Sequence, residues 1–223
     1  EYINEIFGRE KTAHLFTVGE CWGANINNIK NLTGADRGEL TTVFQFEHIN
    51  RNCDGRFNPK DFTLSEFHDV FVKWQNIAQE NDLLYTLFIE NHDQPRCVSR
   101  FGNDKELRYE FATMFATMLY GMRGVPFIYQ GQEIGVTNCR FDKIEDFDDM
   151  ETTAYYRAYK DKFEEIELFD LLNFGSRDNA RHPMPWNASI NGGFNAGEKT
   201  WLALYPDYKE INVETEAARE KSV

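Results

Sequence analysis

The chain has 223 residues, of which 41% are apolar and 15% aromatic. This composition supplies enough apolar surface to bury a core and excludes a disordered or collagen-like chain. The 24 basic and 37 acidic residues give a formal charge of -13 at pH 7, which repels phosphate backbones and anionic lipid surfaces, so neither nucleic acid nor a membrane is an expected partner. No apolar run approaches the roughly 20 residues that span a bilayer, and residues 1–10 lack a signal-peptide pattern, which predicts a soluble cytoplasmic protein.

Four short β-rich runs occur along the chain, and each ends at polar residues that can take part in chemistry. A longer segment, mostly helical in pattern, follows each run, which is typical of a parallel α/β sheet or barrel. In such folds the carboxyl ends of the strands meet at one edge, where the loops form the active site. The predicted strands are 13–18 before Gly19 and Glu20, 41–46 before Glu47 and His48, 83–89 before residues 90–93, and 125–129 before residues 130–133.

Two of the intervening segments have clear helical patterns. Thr63 and Glu66 match a capping box, and the apolar residues that follow recur at helical spacing, which predicts a core-facing helix. After Asp104 a second apolar stripe predicts another helix that ends before Gly124, with its methionines filling the core. The two stripes are Phe67, Val70, Phe71, Trp74, Ile77 and Ala78, and then Leu107, Phe111, Met114, Phe115, Met118, Leu119 and Met122.

The last part of the chain is less regular. Residues 142–151 carry six acidic residues in ten but not the residue order of a calcium loop, which favours a solvated loop. Beyond Phe174 the pattern becomes that of a loop, and residues 213–223 resemble the opening of a helix. The chain has no C-x-x-C pair, so we expect reduced thiols rather than a zinc site or a disulfide framework. The cysteines are Cys21, Cys53, Cys97 and Cys139.

The standard motifs of nucleotide-binding proteins, serine hydrolases and zinc metalloproteases are absent from the sequence. What remains is a carboxylate at two of the predicted strand ends, Glu20 and Asp93, with His92 beside the second. Two carboxylates that face one pocket suit cleavage of a glycosidic bond, in which one protonates the leaving oxygen and the other stabilises positive charge on the sugar ring. Arg177 and Arg181, in the late loop, are further candidates for such a site.

Each of these residues also has a structural interpretation. A carboxylate at a strand end commonly binds a loop or caps a helix. His92 could be a core histidine, and Arg177 could pair with Asp178 or with the acidic run. Trp22 and Phe46 suit the core as well as they suit a sugar-binding platform. The residues alone therefore leave both interpretations open.

Five segments resemble conserved regions of the α-amylase family of glycoside hydrolases. Residues 16–20 (FTVGE) are similar to the family's third conserved region, 88–96 (FIENHDQPR) to its fourth, and 124–135 (GVPFIYQGQEIG) to its eighth barrel strand. Within the family, 43–48 (VFQFEH) and 176–181 (SRDNAR) resemble the branch of oligo-1,6-glucosidases, dextran glucosidases and trehalose-6-phosphate hydrolases.

The resemblance implies a role for each candidate residue. Glu20 would be the general acid and base, and Asp93 the carboxylate that stabilises an oxocarbenium-like transition state. His92 would bind hydroxyl groups of the sugar being cleaved, and Arg177 and Arg181 would hold the glucose of the innermost subsite. The implied reaction is hydrolysis of α-1,6 or α-1,4 glucosidic bonds of short oligosaccharides with retention, and neither a metal nor an organic cofactor is implied.

The resemblance also implies the fold. Residues 1–223 would be strands five to eight of a (β/α)8 TIM barrel, the C-terminal half of the catalytic domain, with the N-terminal half-barrel and the small C-terminal β-domain absent. The G-F-R-x-D segment that carries the family's aspartate nucleophile does not occur in the sequence, so this chain alone is expected to be inactive. Residues 181–186 read R-H-P-M-P-W where the branch usually reads R-T-P-M-Q-W, a departure beside the expected leaving-group subsite.

Two other functions remain as alternatives. A non-catalytic half-barrel that binds sugar or a partner chain would account for the missing nucleophile, whereas a sugar-phosphate enzyme is disfavoured because residues 131–135 form no glycine-rich phosphate cradle. A half-barrel would expose strand edges at 13–18 and 125–129, through which we expect self-association. Cys21 and Cys97, close in sequence to the two candidate carboxylates, are expected either to border the active-site mouth or to be buried and inert.

Overall fold

A computed structural model describes residue 5, residues 15–37 and residues 39–223. The contacts among them divide the chain into two units. The first unit contains the described residues of 1–51 together with 62–87 and 122–127, and the second contains 52–61, 88–121 and 128–223.

Four parallel strands form the framework of the first unit. They are β1 (Val18–Cys21), β2 (Thr42–Gln45), β3 (Thr86–Leu87) and β4 (Val125–Pro126). β1 pairs with β2, and β3 pairs with β4, in parallel ladders. Two threonine side chains join β2 to β3, since Thr42 Oγ1 donates to Leu84 O at 2.6 Å and Thr86 Oγ1 donates to Val43 O at 3.0 Å. A strand is thus found near each of the four predicted runs, although β1 overlaps its run only at Val18, and the strands follow one another in chain order.

The strand boundaries differ from the predicted ones for local reasons. β1 begins at Val18, later than predicted, because Thr17 N donates to the Thr41 side chain at 3.0 Å instead of to a neighbouring strand. The first two residues of the predicted run, 13 and 14, lie outside the described residues. Glu20 is consequently inside β1 and not after it. β3 and β4 are shorter than the predicted runs, since only Thr86–Leu87 and Val125–Pro126 pair with each other.

Two helices accompany these strands, α1 (Ile26–Thr33) and α2 (Leu64–Glu80). The Asn25 side chain caps α1 by accepting hydrogen bonds from two backbone N–H groups of its first turn. α2 begins with the predicted capping box, in which Thr63 and Glu66 satisfy each other's backbone N–H groups. Its buried residues all belong to the predicted stripe, which confirms the core-facing helix. They are Phe67, Val70, Phe71, Trp74 and Ala78.

The second unit contains most of the helices of the described chain. They are α3 (Cys97–Phe101), α4 (Arg108–Tyr120), α5 (Met150–Tyr159), α6 (Glu165–Gly175), α7 (Asp178–Arg181) and α8 (Val213–Ala218). Short 3-10 turns along the chain cover Ile49–Asn52, Gln132–Ile134, Ile144–Asp146 and Ile190–Gly193. α8 coincides with the start of the segment that the sequence marks as the opening of a helix.

Helix α4 corrects the second predicted helix in two respects. It ends at Tyr120 and does not continue to Gly124. Ala112 lies on its buried side, whereas Met114 is exposed and so does not fill the core. An α-helix advances about 100° per residue, so Met114 lies about 200° further round the helix than Ala112 and points away from the buried stripe. Leu107, which precedes the first turn, is exposed as well.

The core of the second unit is made of aromatic and aliphatic side chains from α6 and from the segments on either side of it. Aromatic rings make up a large part of this core, and Tyr205 brings a hydroxyl group into it. The buried residues are Phe57, Ile134, Val136, Cys139, Phe141, Phe147, Leu168, Phe169, Leu172, Met184, Tyr205 and Ile211.

Tyr205 borders an ion pair that is almost wholly buried. Arg96 Nη1 donates to Glu90 Oε2 at 2.9 Å, and each of these side chains exposes only 1% of its surface. Arg96 also donates to Gln130 O at 2.8 Å and to the Tyr205 hydroxyl, while Glu90 Oε1 accepts from Cys97 N at 2.8 Å. Burial alone would lower the pKa of Arg96, but Tyr205 and Glu90 raise it above its usual value, so the guanidinium stays charged.

Arg96→Met should unfold the protein at a lower denaturant concentration, because it leaves the Glu90 carboxylate buried without a counter-ion. Breaking a buried pair in this way lowers the free energy of unfolding by about 3–5 kcal/mol. The matched control is Asp170→Asn, which removes one partner of the exposed Arg140–Asp170 pair (2.9 Å) and should cost about 0–1 kcal/mol. Chemical denaturation measures both, and equal losses would contradict a structural role for the buried pair.

Candidate active site

The first unit presents an exposed carboxylate, Glu20, on β1. Its Cα lies opposite that of Phe44 in the parallel ladder, so strand pairing fixes the backbone that carries it. Close by in sequence, the indole of Trp22 stacks on the ring of Phe46, with ring centroids 4.0 Å apart and an interplanar angle of 9°. Phe46 is buried, whereas 52% of Trp22 is exposed. Trp22 therefore offers a flat apolar face, supported from behind by a core residue, on which a sugar ring can stack.

The second unit brings four of the predicted residues together: His92, Asp93, Arg177 and Arg181. Arg181 Nη2 donates to Asp93 Oδ1 at 2.6 Å, and Arg177 Nη1 lies 3.8 Å from the same oxygen. His92 Nε2 lies 3.5 Å from Asp93 Oδ2, and the backbone oxygen of His92 accepts from Arg181 Nε at 3.0 Å. The Asp93 side chain is 28% exposed, so a ligand can reach the carboxylate.

The loop that carries Asp93 is held by groups other than the carboxylate itself. Asp93 N donates to Asn91 Oδ1 at 2.8 Å, which stabilises the turn, and Arg56 Nη1 donates to Asp93 O at 2.7 Å. Glu90 and Arg96 form the buried ion pair across the two ends of the same loop. The backbone of Asp93 is therefore held by contacts that a ligand at the carboxylate does not have to displace.

Asp149 is a residue of this cluster that the sequence did not identify. The acidic run was expected to be a solvated loop, but the Asp149 side chain is fully buried, at 0% exposed, because it is the counter-ion of Arg177. Arg177 donates to Asp149 Oδ1 from Nε at 2.9 Å and from Nη2 at 2.6 Å. Of the two structural partners considered for Arg177, the acidic run is therefore the one observed. A sequence signal that points to Asp149 is its place directly before α5, where aspartate is a favoured cap.

Burial and hydrogen bonding act in opposite directions on this carboxylate. Burial raises the pKa of Asp149, but hydrogen bonds from Arg177 and Thr152 outweigh burial and hold the pKa below its usual value. The pKa of Arg177 is raised, chiefly by its hydrogen bond to Asp149. At neutral pH the two residues are therefore a charged pair. Burial raises the pKa of neighbouring Asp178, which accepts the backbone N–H groups of Asp148 and Asp149 at 2.8 and 2.9 Å.

The structure distinguishes between the two alternatives considered for Cys97. Cys97 does not border a site mouth; it is buried at the start of α3, where its N–H binds Glu90, and burial raises the pKa of its thiol. Cys53 and Cys139 are buried as well, whereas Cys21, at the end of β1, is partly exposed. All four thiols are free.

None of the described helices is long and apolar enough to cross a membrane. Within the same described ranges, no three His, Cys, Asp or Glu side chains are grouped as a metal site.

Known sequences and structures resemble this chain over nearly all of its length. A family model described as alpha amylase, catalytic domain, matches residues 1–223. The oligo-1,6-glucosidase of Bacillus cereus is 41% identical over 229 residues, which cover 100% of this chain and 40% of that protein. The solved trehalose-6-phosphate hydrolase of Bacillus licheniformis has a TM-score of 0.88 at 36% identity, covering 93% of this chain and 38% of that one.

A third relative was solved with a sugar bound. It is an isomaltulose synthase mutant from Erwinia rhapontici in complex with its natural substrate sucrose, with a TM-score of 0.88 at 37% identity, covering 99% of this chain and 40% of that one. The chain thus spans 38–40% of the length of these three relatives.

Cys21 should react with iodoacetamide faster than the other three cysteines of the native protein. The reason is access, because Cys53, Cys97 and Cys139 are buried and alkylation requires an exposed thiolate. Peptide mass spectrometry after brief labelling measures the order of reaction, and the denatured chain, in which all four should label, is the control. If Cys97 labels as fast as Cys21 in the native protein, its burial at the start of α3 is wrong.

Proposed function

The chain belongs to the α-amylase family, and we propose that it supplies the general acid and the transition-state carboxylate of a retaining α-glucosidase. The substrates of the whole enzyme are then short oligosaccharides with α-1,6 or α-1,4 glucosidic bonds. The observation that carries this proposal is the cluster around Asp93, in which Arg181 and His92 flank a carboxylate that a ligand can reach. A negative charge fixed before the substrate arrives stabilises the positive charge that develops on the sugar ring.

Glu20 is the proposed acid and base of this reaction. In the first step Glu20 gives its proton to the glycosidic oxygen as the bond to the leaving sugar breaks, and an aspartate attacks the anomeric carbon. In the second step Glu20 takes a proton from the water that displaces the aspartate, so the anomeric configuration is retained. The aspartate would come from a segment outside residues 1–223, because their sequence contains no G-F-R-x-D segment.

We assign β1–β4 to strands five to eight of a (β/α)8 barrel, so that these residues form the C-terminal half of the catalytic domain. Their parallel pairing in chain order supports this assignment. The chain also spans only 38–40% of the length of these relatives, as expected for a part of a larger enzyme. On this assignment the N-terminal half-barrel and a C-terminal β-domain are separate parts of the whole enzyme.

The charges around the cluster favour a neutral sugar over a phosphorylated one. Arg181 faces Asp93, Arg177 faces Asp149, and Arg56 Nε lies 3.0 Å from a Glu151 carboxylate oxygen. A phosphate group needs guanidinium or ammonium groups that are not already neutralised by carboxylates. Isomalto- or malto-oligosaccharides, which bind through neutral hydroxyl groups, therefore suit this cluster better.

Glu20→Gln, made in the full-length protein that carries these residues, should reduce kcat/KM on ordinary α-glucosides by about 10²–10⁴-fold, because the leaving sugar then departs without a proton. The first step on α-glucosyl fluoride should be spared, because fluoride needs little protonation. Fluoride release and sugar release are measured on both substrates. Glu39→Gln, at an exposed pair with Arg37 (2.7 Å), is the control that should change neither rate. Equal loss on both substrates would remove Glu20 from the acid role.

Residues 1–223 expressed alone should not hydrolyse a chromogenic α-glucoside and should self-associate, because a half-barrel leaves strand edges unpaired. Co-expression with the preceding half of the parent chain should restore hydrolysis. Activity and mass in solution are the measurements. A monomeric, active segment would contradict the half-barrel assignment, and a full-length protein that binds glucosides without cleaving them would favour the non-catalytic alternative.

A further inference from the structure

The guanidinium groups of Arg181 and Arg177 face the same oxygen of Asp93 at unequal distances. Arg181 Nη2 is at 2.6 Å, a charge-assisted hydrogen bond, whereas Arg177 Nη1 is at 3.8 Å, beyond hydrogen-bond distance. Both side chains are partly exposed, at 35% and 25%, so a difference in exposure does not account for the two distances. The difference therefore needs a cause on the far side of Arg177.

That cause is the buried carboxylate of Asp149. Arg177 directs Nε and Nη2 to Asp149 Oδ1 at 2.9 and 2.6 Å, and its backbone N lies 3.3 Å from Asp149 Oδ2. The Asp149 carboxylate also accepts from Thr152 Oγ1 at 2.8 Å and from Glu151 N at 3.2 Å. Since Asp149 caps α5 and is fully buried, it cannot follow Arg177 toward Asp93.

We infer that Asp149 is a positioning residue that holds the guanidinium of Arg177 away from Asp93. This inference rests on the proposed function, in which the charge of Asp93 stabilises an oxocarbenium-like transition state. With Arg177 held back, Asp93 is paired with one guanidinium and keeps much of its negative charge for the sugar ring, while Nη1 of Arg177 stays available for a sugar hydroxyl. Without Asp149, Arg177 would close on Asp93 and bring a second positive charge toward the reacting carbon.

The first test is the crystal structure of Asp149→Asn in the full-length protein. The distance from Arg177 Nη1 to Asp93 Oδ1 should fall from 3.8 Å to about 2.8 Å, the length of a charge-assisted hydrogen bond. Asp149→Ser is the second variant, because serine still caps a helix while it removes the charge. Asp170→Asn is the control and should leave the distance unchanged. An Arg177 that stays in place, or turns to solvent, in whichever variant folds would overturn the inference.

The second test is a double-mutant cycle measured on a short α-glucoside. Asp149→Asn should lower kcat by about tenfold or more and change KM less, because the lost interaction matters most in the transition state. In an Arg177→Met background the same substitution should cost little further activity, since Asp149 acts through Arg177. Equal losses in the two backgrounds would overturn the inference and leave Asp149 a purely structural residue.

The two tests separate the inference from the proposed function. If the unsubstituted full-length protein does not hydrolyse α-glucosides, the proposed function fails, whereas the crystallographic distance still decides whether Asp149 holds Arg177. If hydrolysis is observed and the distance does not change in the variants, the inference fails alone.

Discussion

The buried ion pair of Glu90 and Arg96 is the interaction on which the Asp93 cluster depends. Moving two charges out of water costs several kcal/mol per ion, so such a pair persists only where further hydrogen bonds satisfy both groups. Arg96 is satisfied by Gln130 O and by the hydroxyl of Tyr205, and Glu90 by the backbone of Cys97. Because Glu90 and Arg96 stand at the two ends of one loop, their contact closes that loop and fixes the backbone between them.

Exposure is low at the buried carboxylates and higher at the candidate site. Glu90 and Arg96 are 1% exposed, Asp149 is fully buried, and Asp93 is 28% exposed. Partly exposed pairs contribute little to the free energy of unfolding, about 0–1 kcal/mol, whereas buried ones resist being broken. A sugar hydroxyl can thus compete for the Asp93 carboxylate without disturbing the buried Glu90–Arg96 pair. The backbone of Asp93 is held by interactions that no ligand has to break.

The sequence predicts the parts of this arrangement that have a local signal. The capping box at Thr63, the apolar stripe of α2 and the polar residues at the strand ends all depend on near neighbours in the chain. Apart from its suitability as a helix cap, Asp149 has no such signal, because six acidic side chains among ten residues look alike until the fold brings Arg177 to one of them. Met114 was misplaced for a related reason, since which side of α4 is buried is decided by the elements that pack against it.

The role of Arg177 in the fold follows from the same contacts. Many functional residues lower stability, because a site needs charges that the fold would not otherwise keep. Arg177 does the reverse: it neutralises a fully buried carboxylate at the start of α5, and leaving that carboxylate unpaired would cost about 3–5 kcal/mol. The acidic segment can fold against the site only because the site supplies the guanidinium. Folding stability and sugar binding therefore both need the Arg177 guanidinium at this position, so a gain in one does not require a loss in the other.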